Sequence, residues 1–295
     1  MKPNVLSDFR AVFFSSSIIP LLVVSLCVPP ICRGQADDPG PASPLSLEVP
    51  FDVSDPSLVP KAPIRNDVVR RGSPKLKEIA LTFDGGPIFP DEIVPRLKDP
   101  FGGSGSVFKV LQETGIKGTF FMIGKQVKAH QDFVSNVFQE GHSIGNHTWD
   151  HAIKTKGLVN LNQAERIKEI TMGNQAIKAA LKPSTSDVPL FRLPYGAGSW
   201  PFSQEVLDLI PKHHKYNVLW SLDSMDWTGQ GATKTVSKVL NCKQLDGAII
   251  LLHDSADGTA NAVRRFVPEL KKRGYTFVTV DELLAHTAKA ENKAE

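Results

Sequence analysis

The chain has 295 residues, 41% hydrophobic and 22% charged, which is enough to bury a substantial core in one large domain plus a leader. Its net charge of +3 is too small for a nucleic-acid surface, and no block of Lys and Arg is interleaved with aromatics. These figures fit an ordinary globular protein and argue against nucleic acid as a partner.

Lys2 and Arg10 precede an apolar stretch, Ala11 to Val28, and Gly34-Gln35-Ala36 offers small residues at −3 and −1 of a cleavage site. Residues 1–36 therefore read as a signal peptide of a secreted or periplasmic protein. The stretch is also long enough to persist as an uncleaved anchor, and only then is the membrane a partner. Cleavage after Ala36 removes Cys27 and Cys32, so Cys242 remains alone, without a disulfide, and is read as a packing residue. Residues 37–75 carry Pro39, Pro41, Pro44, Pro50, Pro56, Pro60, Pro63 and Pro74. Proline at that density opposes helix and central strand, so the stretch is a linker or a strap over the domain.

Residues 76–287 alternate short apolar runs with longer amphipathic segments. Strands are expected at 78–83, 118–123, 143–146, 190–192, 217–222, 248–252 and 276–280. Helices are expected at 105–114, 125–140, 162–181, 203–213, 233–240 and 259–273, with a polar tail at 288–295. The alternation predicts an α/β fold, a parallel sheet with crossover helices. About seven strands suit a barrel of fewer than eight units; an open doubly wound sheet reads the same way from periodicity alone. Asp84, His147, Arg192, Asp226 and His253 all fall at or just after strand ends. That carboxyl edge is where strand-to-helix loops converge on ligands, so the active site is expected there.

The clusters carry distinct chemistry. His147 and His151 stand four apart, on one side of a helical turn or clasped across a tight bend, with Gly145-Asn146 permitting the bend. Either geometry lets two imidazoles share an ion; zinc suits such a set, with cobalt or nickel as alternatives. Asp84 closes an apolar run before Gly85-Gly86-Pro87 and can serve as general base, metal ligand or loop cap. Arg192 can fork onto a carboxylate, or sit exposed at a strand end. The Tyr195 N–H, following Pro194, can donate to an oxyanion. A carboxylate at Asp223 or Asp226 bonded to His253 would make that imidazole an acid at neutral pH. Trp227 offers a flat face to a sugar ring.

In this order the residues resemble the polysaccharide deacetylase family, the NodB-like carbohydrate esterases, over about residues 76–286. Thr82-Phe83-Asp84-Gly85-Gly86-Pro87 is similar to its first motif, usually Thr-Phe-Asp-Asp-Gly-Pro. His147-Thr148-Trp149-Asp150-His151, Arg192-Leu193-Pro194-Tyr195, Asp223 to Trp227 and Leu251-Leu252-His253 are similar to the second to fifth. The resemblance implies a deformed (β/α) barrel and metal-dependent removal of N-acetyl, or sometimes O-acetyl, groups from a glycan such as peptidoglycan or chitin oligomers. By motif position it implies Asp84 as general base held by Arg192, and His147 and His151 as metal ligands. Tyr195 N–H would face the oxyanion, His253 would be the acid oriented by Asp226, and Trp227 and Leu251 would wall the acetyl pocket. The stretches 90–103 and 196–201 are expected to shape the cleft.

One position departs from the pattern. Gly85 stands where the family usually has a second Asp, its third protein ligand to the metal. Three outcomes follow: metal on the two histidines and water, Asp84 turned toward the metal, or a metal-free glycan binder. The paired acid, base and orienting residues favour catalysis. A metal-free amidohydrolase of small cyclic amides is a third reading, opposed by the histidine pair and the leader.

Overall fold

The computed structural model describes residues 68–89, 103–152, 157–182, 187–197 and 204–292. The leader, the Pro-rich stretch up to residue 67 and most of the two cleft-shaping stretches, 90–102 and 198–201, lie outside the described residues. Among the described residues no helix is long and apolar enough to cross a membrane.

The strands are β1 (Val68–Val69), β2 (Glu78–Asp84), β3 (Thr119–Met122), β4 (Ser143–Asn146), β5 (Leu190–Phe191), β6 (Tyr216–Val218), β7 (Leu222–Asp223), β8 (Ala248–His253) and β9 (Thr276–Phe277). They pair in parallel in the order β1-β6-β5-β4-β3-β2-β8-β7, with β9 beside the start of β2. β6 is second in that order and β7 last, yet only residues 219–221 separate them. Three residues span at most about 11 Å, so the sheet must curl until its ends nearly meet. Leu219 N–H donates to Val69 O at one end of the path, and Ser221 N–H to Ile249 O near the other. The result is a deformed (β/α) barrel. The single strand expected at 217–222 is thus two strands, because its halves bond to opposite ends of the sheet.

The helices are α1 (Ser104–Thr114), α2 (Gly124–Ala129), α3 (Gln131–Gln139), α4 (Gln163–Leu181), α5 (Gln204–Leu209), α6 (Gly231–Leu240), α7 (Thr259–Lys272) and α8 (Val280–Asn292). The expected helix at 125–140 is broken at His130, whose φ of −131° and ψ of 43° leave the helical region. α8 has no counterpart among the expected helices and continues through Asn292. β1 draws the end of the Pro-rich stretch into the sheet beside β6.

Period-two alternation builds two interiors. On β2, Ile79, Leu81 and Phe83 face the main core, shared with Val107, Val110 and Leu111 of α1 and Val263, Phe266 and Val267 of α7. Ala80 belongs to a second cluster with Phe121, Leu190, Val218 and Ile249. Thr82 and Asp84 continue that face of β2, as Leu251 and His253 continue the Ile249 face of β8. Small and apolar residues therefore floor the barrel, and the same strand faces turn polar toward the carboxyl edge. Cys242 is a half-buried free thiol packed against the main core.

Candidate active site

Strand register brings the clusters together. Asp84 lies opposite Phe121 on one side and His253 on the other. Asn146, one residue before His147, lies opposite Phe191, one residue before Arg192. The carboxyl tips of β2, β4, β5 and β8 thus deliver a carboxylate, two imidazoles and a guanidinium to one edge.

Arg192 is fully buried, and each guanidinium nitrogen is occupied. Nη1 donates to Asp84 Oδ1 at 2.7 Å and to Thr82 Oγ1 at 2.8 Å. Nε and Nη2 donate to the carbonyls of Val218 and Leu219 at 2.8 and 3.1 Å. The guanidinium carbon lies 4.1 Å from the Phe121 ring centre. Asp84 is also buried. Burial alone would raise its pKa, but the charge and hydrogen bond of Arg192, with the charge of His253 adding, hold it below the ordinary carboxylate value. Neither the loop-cap reading of Asp84 nor the exposed reading of Arg192 matches this geometry.

His147 Nδ1 sits 2.8 Å from the carbonyl oxygen of Arg192, which can only accept, so Nδ1 is assigned the proton. Nε2 is left with its lone pair, 3.8 Å from Asp84 Oδ2. The ring centres of His147 and His151 are 4.8 Å apart. Burial, the largest cause, lowers the pKa of both histidines, that of His151 to about 3, and keeps the rings neutral. The pair is clasped across a bend and not stacked on a helical turn. Gly145 and Asn146 stay in β4, and the reversal falls on Thr148, His151 and Ala152, with φ of 70°, 67° and 48°.

His253 Nδ1 bonds Asp226 Oδ1 at 2.9 Å, and the backbone N–H of His253 donates to Asp226 Oδ2 at 2.7 Å. Thr259, at the start of α7, adds a hydroxyl bond to Oδ2 at 2.6 Å. Burial works against a charged His253, but the bond and charge of Asp226, with Asp84 and Asp223 adding, push its pKa up to about 9. The partner of His253 is therefore Asp226; Asp223 Oδ1 instead accepts the Met225 N–H at 2.8 Å.

Among the described residues the large exposed hydrophobics are Tyr195, 47% exposed, and Trp227, 43% exposed. The Tyr195 ring meets His151 edge-on at 4.6 Å, while Trp227 follows Asp226 directly. One aromatic stands on the histidine side and one on the acid side. Leu251 is buried on the same strand face as His253.

A divalent ion can be tested against these donors. Two neutral imidazoles, one with its free nitrogen turned toward a carboxylate, are the right chemistry. Yet among the described residues no group of three or more His, Cys, Asp or Glu is placed to hold a metal ion. The position that the family resemblance gives to a third ligand is Gly85, at φ +99°; a Cβ there would lie 3.9 Å from Asp254 Oδ1. Asp254 is buried, accepts the Ser104 hydroxyl on Oδ2 and leaves Oδ1 without a partner. Burial raises its pKa to about 7.

Thr82 and Thr259 escaped the sequence reading. Each is a buried hydroxyl on the carboxylate machinery, Thr82 bridging Arg192 to the Ile250 carbonyl. Thr82 lies two residues before Asp84, on its strand face, and that spacing was the available signal. Nothing local marks Thr259.

A model of the polysaccharide deacetylase family matches residues 71–218. The chain is 34% identical over 211 residues to the peptidoglycan-N-acetylglucosamine deacetylase PgdA of Listeria monocytogenes, a match covering 70% of this chain and 39% of that protein. The chain therefore spans about two-fifths of that relative's length. Its fold is similar to the Bc1960 peptidoglycan N-acetylglucosamine deacetylase, with a TM-score of 0.62 at 25% identity, covering 74% of this chain and 92% of the other. It is also similar to a Bacillus anthracis pseudoenzyme of carbohydrate esterase family 4, in a mutant with restored enzymatic activity, with a TM-score of 0.60 at 25% identity over 74% and 71% of the two chains. With half of its length under the family model and the motif residues gathered at one barrel edge, the chain belongs to the polysaccharide deacetylase family.

Proposed function

We propose that the protein is an exported hydrolase that removes N-acetyl groups from a glycan, with the N-acetylglucosamine units of peptidoglycan as its substrate class. The similarity to peptidoglycan deacetylases supports that class. The observation carrying the reaction is the pairing across adjacent strands of a carboxylate held ionised, Asp84, with an imidazole held protonated, His253. Two groups whose environments push their proton affinities apart are a base and an acid.

Asp84, aligned by Arg192, takes a proton from the attacking water. As the tetrahedral centre forms, the Tyr195 N–H donates to the oxyanion. His253 then delivers its proton to the departing amine, with Asp226 stabilising the imidazolium. Tyr195 and Trp227 give the sugar rings apolar faces, and Leu251 lines the acetyl pocket. A divalent ion, zinc or alternatively cobalt or nickel, would be held by His147 and His151 and would supply Lewis acidity toward the acetyl carbonyl.

Incubation of the purified protein with peptidoglycan or chitin oligomers and added zinc, cobalt or nickel is expected to release acetate, and a chelator is expected to stop it. No acetate from any of these substrates with any of the three metals would overturn the proposal.

Gly85 and the open third donor position favour a second reading, a glycan-binding protein with a degenerate metal site. Gly85→Asp separates the two. The new side chain has room, its Cβ meeting nothing nearer than Ser255 Oγ at 3.8 Å. Its left-handed φ would strain an Asp by about 1–2 kcal/mol. Under the first reading, calorimetry shows metal affinity rising about 10-fold or more while acetate release changes little. A protein silent before the substitution and active after it is the degenerate binder.

A further inference from the structure

The turn from His147 to His151 is unusual because its reversal falls on residues other than glycine. Thr148, His151 and Ala152 all hold positive φ. Such backbone persists only where its surroundings over-determine it.

The surroundings are α2 on one side and α4 on the other. The first amides of α2, Gly124 and Lys125, donate to the carbonyls of Thr148 and Trp149, each at 2.8 Å. Asn146 Oδ1 accepts the Thr148 N–H at 2.8 Å, and its Nδ2 donates to the Ile170 carbonyl on α4 at 2.9 Å. Half-buried Glu169, one residue earlier on α4, supplies the charge: its Oε2 accepts the N–H groups of Trp149 and Asp150, each at 3.1 Å. The Thr148 hydroxyl lies near this carboxylate and helps keep it ionised, and Thr148 Oγ1 accepts the His151 N–H at 3.1 Å. One carboxylate thus holds the middle of the strained turn, and the Thr148 hydroxyl beside it holds the His151 end. α4 comes this close because it carries Gly173, where a Cβ would lie 2.4 Å from Asn146 Oδ1 and 2.8 Å from the Thr148 carbonyl carbon.

We infer that Glu169 is a positioning residue that sets the distance and direction of the His147–His151 pair toward its ion. The inference rests on the reading of that pair as metal ligands. Glu169 itself touches neither imidazole in this arrangement; it acts through the amides between them. A carboxylate accepting several N–H groups holds them about twice as strongly as a neutral oxygen does, so the charge matters as well as the shape.

The test combines cobalt(II) titration, followed by visible absorption, with site-resolved amide hydrogen exchange on the wild type, Glu169→Ala and Glu169→Gln. Glu169→Ala is expected to weaken cobalt binding about 10- to 100-fold, the range typical of losing a group that orients a ligand. It is also expected to speed exchange at Trp149, Asp150 and His151, with β2 and β3 protected as before. Glu169→Gln, which keeps an acceptor oxygen, should fall between; should the alanine variant not fold, it carries the same test. Unchanged cobalt affinity and unchanged exchange at those amides would overturn the inference. So would a uniform loss of protection across β2 and β3, which would assign Glu169 to general stability. A wild type that takes up no cobalt would sink the ligand reading of the pair, with exchange at the three amides still deciding whether Glu169 holds the turn.

Discussion

Asp226→Asn is expected to lower acetate release about 10²- to 10⁴-fold at pH 8, the usual worth of a positioned general acid. Asp226 receives three donors, the His253 ring, the His253 N–H and the Thr259 hydroxyl. An asparagine offers one oxygen and one NH₂ group in that place, so at least one donor faces a donor and the support for the imidazolium goes. The sign of the pH effect follows. His253 works as a cation, so wild-type kcat/KM should hold on the acid side and fall as pH rises through about 9. Burial, the largest influence on His253, lowers its pKa, and without Asp226 only the smaller charges of Asp84 and Asp223 oppose it. The alkaline limb of the variant should therefore move toward or below the ordinary histidine value of about 6.5. Stability carries the same signature: a raised histidine pKa contributes stability that is complete below about 6.5 and is lost as pH climbs through about 9. Thermal melts of the wild type should decline across that window, and those of Asp226→Asn should decline less. Identical alkaline limbs in both proteins would remove His253 from the acid role.

Arg192→Met is expected to cost both stability and rate. Arg192 is fully buried, and its loss leaves the Asp84 carboxylate buried with its nearest cation gone. Removing one partner of a buried ion pair costs about 3–5 kcal/mol, to be read from urea unfolding. Thr82 Oγ1 and the carbonyls of Val218 and Leu219 lose their donor as well. The kinetic effect has a definite sign. Burial raises the pKa of Asp84 and Arg192 is the first charge opposing it, so in the variant that pKa climbs and the acid limb of kcat/KM moves up in pH. Asp84→Asn is the contrasting case: it keeps an acceptor for Arg192 but cannot take a proton, so its activity should be lost at every pH. An Arg192→Met variant that is as stable as the wild type, with an unmoved acid limb, would show that Asp84 does not depend on this cation.

The two pH limbs bound a working range. Asp84 is ionised above a depressed pKa and His253 is protonated below about 9, so both are in their working forms across neutral pH. Asp254 behaves differently. Its pKa of about 7 lies above the ordinary carboxylate value because of burial, so its contribution to stability is complete in acid and is lost as pH rises through about 7. It lies beside Gly85, and an Asp at 85 would bring a second carboxylate near it.

Strand tips and reactive residues were legible along the chain because the alternation of β2 and β8 is a local property. Ile79-Ala80-Leu81-Thr82-Phe83-Asp84 and Ile249-Ile250-Leu251-Leu252-His253 each end an apolar run on a polar group, whatever the neighbouring strands are. Other features were not local. The break of α2 from α3 at His130 follows no proline or glycine at that residue. The split between β6 and β7 arises only once Val69 and Ile249 are present as separate acceptors. Thr259 and Glu169 are a threonine opening a helix and a glutamate within one, indistinguishable in sequence from capping and solvent-facing residues.

What the chain by itself determined is therefore the inventory and its order: which side chains stand at strand ends, and that a glycine follows Asp84. Periodicity is a one-dimensional property, and it survives in the sequence. What only the tertiary structure decided is the partnership, namely Asp226 and not Asp223 for His253, Arg192 turned inward on Asp84, and a strained turn clamped by α4. Those choices depend on which strand lies beside which and at what register, and a hydrogen bond such as that from Arg192 to Asp84, 108 positions apart, leaves no periodic trace in the chain.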